Sequence, residues 1–114
     1  VPVANTRGKK SGKMILKIRQ ILSREPGIEK ILLFGSRARK GADKDSDFDL
    51  LVVIRAGKER RSESVRLRDL LRPLDIAVDL IVISEKDLEK WKGVPGNLIF
   101  EAVREGRLIY DRAA

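Results

Sequence analysis

Three short apolar runs, residues 28–34, 48–54 and 76–83, constrain this chain most. Each is about as long as a single strand, and each is nearly continuous rather than alternating. Such runs read as strands buried on both faces, which requires helices to cover them. The intervening segments supply those helices. Met14, Ile15, Ile18, Ile21 and Leu22 recur at helical spacing before Pro26-Gly27 stops the pattern. Leu67, Leu70, Leu71 and Leu74 share one face of a helix over 60–72, which Pro73 ends or bends. Ser84 followed by Asp87 is a start signal for a helix over 85–91. Leu98, Ile99, Ala102 and Val103 line a further helix closed by Gly106, and residues 108–110 form a last short strand. Ser36 predicts the cap of a short helix over 37–40, with a loop over 41–46. This alternation predicts an α/β (α+β) fold, a small mixed β-sheet covered by helices.

At 114 residues the chain fits one domain. Residues 14–112 read as that domain. Residues 1–13 carry four cations and no acid, and read as a disordered basic tail or an appended leader. The net charge is +8, of which half lies in that segment. The basic balance alone therefore says little about the folded domain, and with one Trp, one Tyr and three Phe there is little to stack on bases. A nucleic-acid partner is disfavoured on those grounds. No apolar run reaches membrane-spanning length and no secretory signal is present, so the expected location is the cytoplasm. The lone Trp91, ahead of Gly93-Val94-Pro95-Gly96, reads as an anchor at the edge of the core, a partner surface being the other reading.

Cysteine and histidine are both absent. This excludes disulfides, Cys/His zinc sites and thiol or imidazole catalysis. Any metal must be held by oxygen ligands, and any general base must be a carboxylate, Lys or Tyr. Asp47 and Asp49 stand at the entrance of the second strand, where acids are disfavoured. Residues two apart on a strand face the same way, so both carboxylates project together, either as a clamp for a hard divalent cation or as solvated acids. Asp79 is flanked by apolar residues in "VDLIV". If the second and third strands are neighbours it joins the pair; otherwise it forms an ion pair with one of the many arginines. Asp75, just after Pro73, reads as an ordinary junction acid. Gly35 permits a sharp turn, and a helix starting at Ser36 would offer N–H groups to an anion, with Arg37 and Arg39 beside it. The competing reading is an ordinary strand–turn–helix.

Gly35-Ser36, ten residues, then Asp47-Phe48-Asp49 matches the GS-x10-DxD signature of the DNA polymerase β-like nucleotidyltransferase superfamily. The string "FGSRARKGADKDSDFDLLVV" resembles the minimal nucleotidyltransferases (MNT), small proteins often paired with HEPN toxins. Asp79 sits where that family carries a third carboxylate, and "IFEAVREGRLIYD" resembles its closing helix and strand. The resemblance covers roughly residues 14–112 and implies the fold named above. It implies that Asp47, Asp49 and Asp79 are catalytic and hold Mg²⁺ or Mn²⁺. Gly35 and Ser36 would contact the phosphates of ATP or another NTP, with Arg37 and Arg39 as further phosphate partners. The implied activity is transfer of AMP to a hydroxyl, a tyrosine of a HEPN toxin, so that the protein acts as an antitoxin. No room remains after the last strand for a substrate-holding domain, so the acceptor is expected to bring its own binding surface. The alternative is a binding module that neutralises the toxin by occlusion.

Overall fold

The computed structural model describes residues 9–38 and 47–114. Among them lie four strands, β1 (Ile28–Phe34), β2 (Phe48–Ile54), β3 (Val78–Ser84) and β4 (Arg107–Asp111), and four α-helices, α1 (Lys9–Leu22), α2 (Arg60–Leu71), α3 (Glu85–Trp91) and α4 (Leu98–Glu105). The strands form one mixed sheet in the order β3-β2-β1-β4. β1 is antiparallel to both β2 and β4, whereas β2 and β3 run parallel through the α2 crossover. The expected fold class is therefore the one observed.

Helices cover both faces of the sheet, which is why its central strands read as unbroken apolar runs. On one face α1 and α2 bury Ile15, Ile18, Leu22, Leu67 and Leu71 against Ile31, Leu33, Leu50, Val52 and Leu80. On the other, Leu88 of α3 and Ala102 of α4 pack with Leu32, Phe34, Leu51, Val53 and Ile83. Along β2 the even-numbered residues thus face α1 and α2, and the odd-numbered ones face α3 and α4. The Arg19 guanidinium donates from Nε to the Ile109 carbonyl at 2.9 Å and lies over the Tyr110 ring, tying α1 to β4.

Helix starts are capped by side chains. The Ser84 hydroxyl accepts from the Asp87 N–H at 3.1 Å, as its sequence spacing predicts. Asn97 accepts from the Phe100 N–H at 2.9 Å, and its amide donates to the Trp91 carbonyl, bracing the α3–α4 turn. Glu59 performs the same role for α2 through the Ser62 N–H. Gly106, which closes α4, has no room for a side chain. A Cβ there would lie 2.3 Å from the Ala102 carbonyl oxygen and 3.1 Å from that of Leu33.

Four expectations are modified. α1 begins at Lys9, so residues 9–13 are helical where a tail was expected, while residues 1–8 lie outside the described residues. The short helix expected over 37–40 is a four-residue 3-10 turn over Gly35–Ala38, and residues 39–46, the expected 41–46 loop and Arg39 included, lie outside the described residues. β3 starts at Val78 rather than 76, because a 3-10 turn over Arg72–Leu74 with Pro73 near its start is followed by Asp75 in the left-handed region at φ 52°. Trp91 is 40% exposed with Lys90 over its ring, so it lies on the surface rather than anchoring the core edge.

Candidate active site

The C-terminal end of β1 and the N-terminal ends of β2 and β3 meet at one edge of the sheet. Phe34 pairs with Asp49, and Asp49 pairs with Asp79, so the three occupy one rung. Residues paired across a sheet project to the same face. Asp49 and Asp79 therefore share the α3/α4 face, continuing the columns of Leu51 and Ile81 beyond the helical cover. Asp47 is exposed and lies immediately before β2. The Phe48 N–H donates to the Ala77 carbonyl at 2.9 Å, which extends the β2–β3 pairing beyond Val78 and fixes the approach to both strands.

Gly35 makes the tightest approach in the site. Its φ is +72°, a conformation that side-chain-bearing residues rarely adopt. A Cβ at this position would lie 2.0 Å from Asp49 Oδ2 and 3.0 Å from its Cγ. The Asp49 carboxylate thus rests in the space that the missing side chain leaves. Ser36 follows as the second residue of the 3-10 turn and is half-buried. The turn is too short to develop the dipole of a full helix, so any anion binding here rests on individual N–H groups and the Ser36 hydroxyl. Arg37 stacks over the Phe48 ring at 4.2 Å. Phe48 belongs to the core beneath α1 and α2, so this contact draws Arg37 toward the opposite side of β2 from Asp49. The stacking role of Phe48 was missed in the sequence, although its position between two same-facing acids already placed it on the other face.

Asp79 was expected to be buried among apolar neighbours, but it is exposed, because β3 is the outer strand and residue 79 lies near its start. Neither Asp47 nor Asp79 makes an ion pair with another described residue, so the arginine-paired reading of Asp79 does not hold there. Among the described residues, no three acids stand close enough together to hold a metal ion as placed. The structure thus brings Asp49 and Asp79 onto one rung without closing the three carboxylates into a cluster. The strongest charge network lies elsewhere. Glu63 on α2 is 7% exposed and takes two hydrogen bonds from Arg66, at 2.6 and 3.2 Å; Arg66 also pairs with Glu25. These bonds from Arg66 hold the Glu63 carboxyl below its usual range, and those from Glu63 and Glu25 hold the guanidinium above its own.

A two-sided mixed sheet with a glycine-serine turn, and acids paired across adjacent strand starts, is the architecture of a nucleotidyl-transferring domain. The chain belongs to the polymerase β nucleotidyltransferase family, whose model matches residues 16–114. No curated protein sequence matches it. Among solved structures it is similar to a protein of Sulfolobus solfataricus assigned as a nucleotidyltransferase, at 21% identity and TM-score 0.59, over 96% of this chain and 94% of that one. It is also similar to a chain of the complex between the tri-AMPylated Shewanella oneidensis HEPN toxin and its MNT antitoxin, at 20% identity and TM-score 0.57, over 90% and 74%. A toxin–antitoxin structure with AMP-PNP matches at 22% identity and TM-score 0.56, over 87% and 72%. At these identities the three structures speak to the fold. Among the described residues no helix is long and apolar enough to cross a membrane.

Proposed function

We propose that the protein transfers AMP from ATP to a hydroxyl on a polypeptide partner, a tyrosine of a HEPN-type toxin, and so acts in the cytoplasm as an antitoxin. The observation that carries this reading is the shared rung of Asp49 and Asp79 beside the Gly35 turn. The AMPylated HEPN toxin complex and the toxin–antitoxin structure with AMP-PNP, both among the similar structures, support the partner and the nucleotide.

Asp47, Asp49 and Asp79 would hold Mg²⁺ or Mn²⁺. Their all-oxygen donor set suits a hard cation, and the cradle at Gly35 gives one carboxylate a fixed seat. Repulsion among the acids opposes their convergence, and a divalent charge offsets it. Bound there, the ion would neutralise the triphosphate and acidify the attacking hydroxyl. The chain's own residues do the rest. Ser36 and the N–H groups of its turn bind phosphate oxygens, and Arg39 adds positive charge; Arg37 would have to leave the Phe48 ring to join it. Asp79, exposed at the rim, accepts the proton of the acceptor hydroxyl. The new bond forms between that oxygen and the α-phosphorus as the bond to pyrophosphate breaks, and pyrophosphate leaves.

Incubation with labelled ATP, Mg²⁺ and the protein encoded next door tests this. Label should pass to the partner and fall to background in Asp47→Asn and Asp49→Asn, with the melting temperature held. Neutralisation of the toxin that survives both substitutions without labelling would replace catalysis by occlusion.

A further inference from the structure

β3 is an outer strand, and among the described residues no strand pairs with its far edge. Seven residues long, it carries no Pro or Lys, and its pairing with β2 contains no register shift. Proteins usually blunt such edges with one of those devices. Its backbone alternates in a known sense. Ala77 directs its carbonyl toward β2, where the Phe48 N–H donates to it, whereas the Leu80 carbonyl accepts from the Arg68 side chain at 3.5 Å. Odd-numbered residues thus bond inward, and Val78, Leu80 and Val82 turn their N–H and C=O groups outward.

Along this edge α2 presents Arg61, Val65 and Arg68, spaced four and three apart, and Arg72, paired with Asp69, follows in the 3-10 turn. Val65 is 60% exposed. Arg60 and Arg61 make no ion pair with another described residue. Two open grooves, of about 350 and 340 Å³, run between these side chains and β3, the first over Leu80–Val82 and the second beside Val78. No aromatic residue lines either groove, so there is no platform for stacking bases. The spacing of outward amides fits a polypeptide backbone, and the arginines fit acidic side chains on alternate positions.

We propose that the free edge of β3 docks an extended acidic segment of a polypeptide partner, which pairs as a fifth strand under the α2 arginines. Such a segment would run toward Asp79 and lead its hydroxyl to the rim. That delivery rests on the transferase reading above, whereas the docking edge stands on its own geometry.

The probe is a labelled peptide of about eight residues, alternating Glu and Val, titrated into the full chain and followed by fluorescence anisotropy and amide hydrogen exchange. Saturable binding with slowed exchange at Leu80 and Val82 is expected, together with about a tenfold or greater loss of affinity in Arg61→Glu/Arg68→Glu. Val65→Glu, at an exposed site with no fold to disturb, should weaken binding in the same direction. Failure of the peptide to bind, binding without protection of those amides, or affinity unmoved by charge reversal would overturn the proposal. So would single-stranded RNA binding through the same arginines and displacing the peptide. AMP transfer to the HEPN partner is measured in parallel on the unaltered protein. Transfer without peptide binding defeats the docking edge alone, and peptide binding without transfer defeats the transferase reading alone.

Discussion

Gly35→Ala isolates the contact on which the site is built. Two costs add. The left-handed conformation at φ +72° is less favourable for alanine than for glycine by about 1 kcal/mol. The new Cβ would also lie 2.0 Å from Asp49 Oδ2, and an ordinary contact of about 3.5 Å requires the carboxylate to retreat by about 1.5 Å. Asp49 is half-buried at the edge of the sheet, so it can swing rather than break the fold. Stability should therefore fall by about 1–2 kcal/mol, with about 4–8 °C lost in melting temperature for each. On the proposed function, with Asp49 in the reaction, activity should fall further, by about 100-fold, because displacement of such a group by an ångström has that effect. Urea denaturation and AMP transfer read the two quantities separately. The Asp49→Ala background sharpens the test. With the carboxylate gone the nearest remaining atom is the Asp49 Cβ at 3.3 Å, so the stability cost of Gly35→Ala should shrink toward the conformational part alone. Wild-type transfer in Gly35→Ala, or an undiminished stability cost in the Asp49→Ala background, would refute the reasoning.

Four further substitutions probe the frame. Because the native Glu63 carboxyl binds its proton less tightly than the unfolded one, its contribution is complete above about pH 4.3 and disappears as pH falls through the lower native value. A pH series of denaturation curves should show wild type converging on Glu63→Gln only in that acid range. At neutral pH Arg66→Ala should cost about 1–2 kcal/mol, less than a fully buried pair because Arg66 is half exposed. Gly106→Ala should lose about 2–3 kcal/mol in denaturant, since both opposing atoms are backbone carbonyls that cannot rotate away. Asn97→Ala should cost about 1 kcal/mol and speed amide exchange at Phe100.

Much of this could be read from the residues. The runs at 28–34 and 48–54 are strands within the expected bounds, because two-sided burial leaves an unmistakable apolar string. The Ser84 cap was legible because its partner lies three residues away in the chain. Asn97 and Glu59 cap by the same local rule, yet a charged or amide side chain in a polar loop has no contrast with its neighbours. The run before β3 looked two residues too long, since Ile76 is apolar but follows a left-handed Asp75 that delays pairing. The candidate site was visible as residue types, and its arrangement only on the condition that the second and third strands are neighbours. The rung joining Asp49 to Asp79 is a non-local register, and the seat of the Asp49 carboxylate on Gly35 depends on a backbone angle that no pattern encodes. The exposure of Asp79 follows from strand order, which the apolar flanks of "VDLIV" misrepresented.

Because β2 and β3 align residue for residue without a shift, the two acids face each other only through counting from each strand's own start. The segment between Arg55 and Ala77 could lengthen or shorten in a relative without disturbing them. A single inserted residue between Val78 and Asp79 would instead rotate that acid to the underside of the sheet, against α2, and turn each side chain after it to the wrong face.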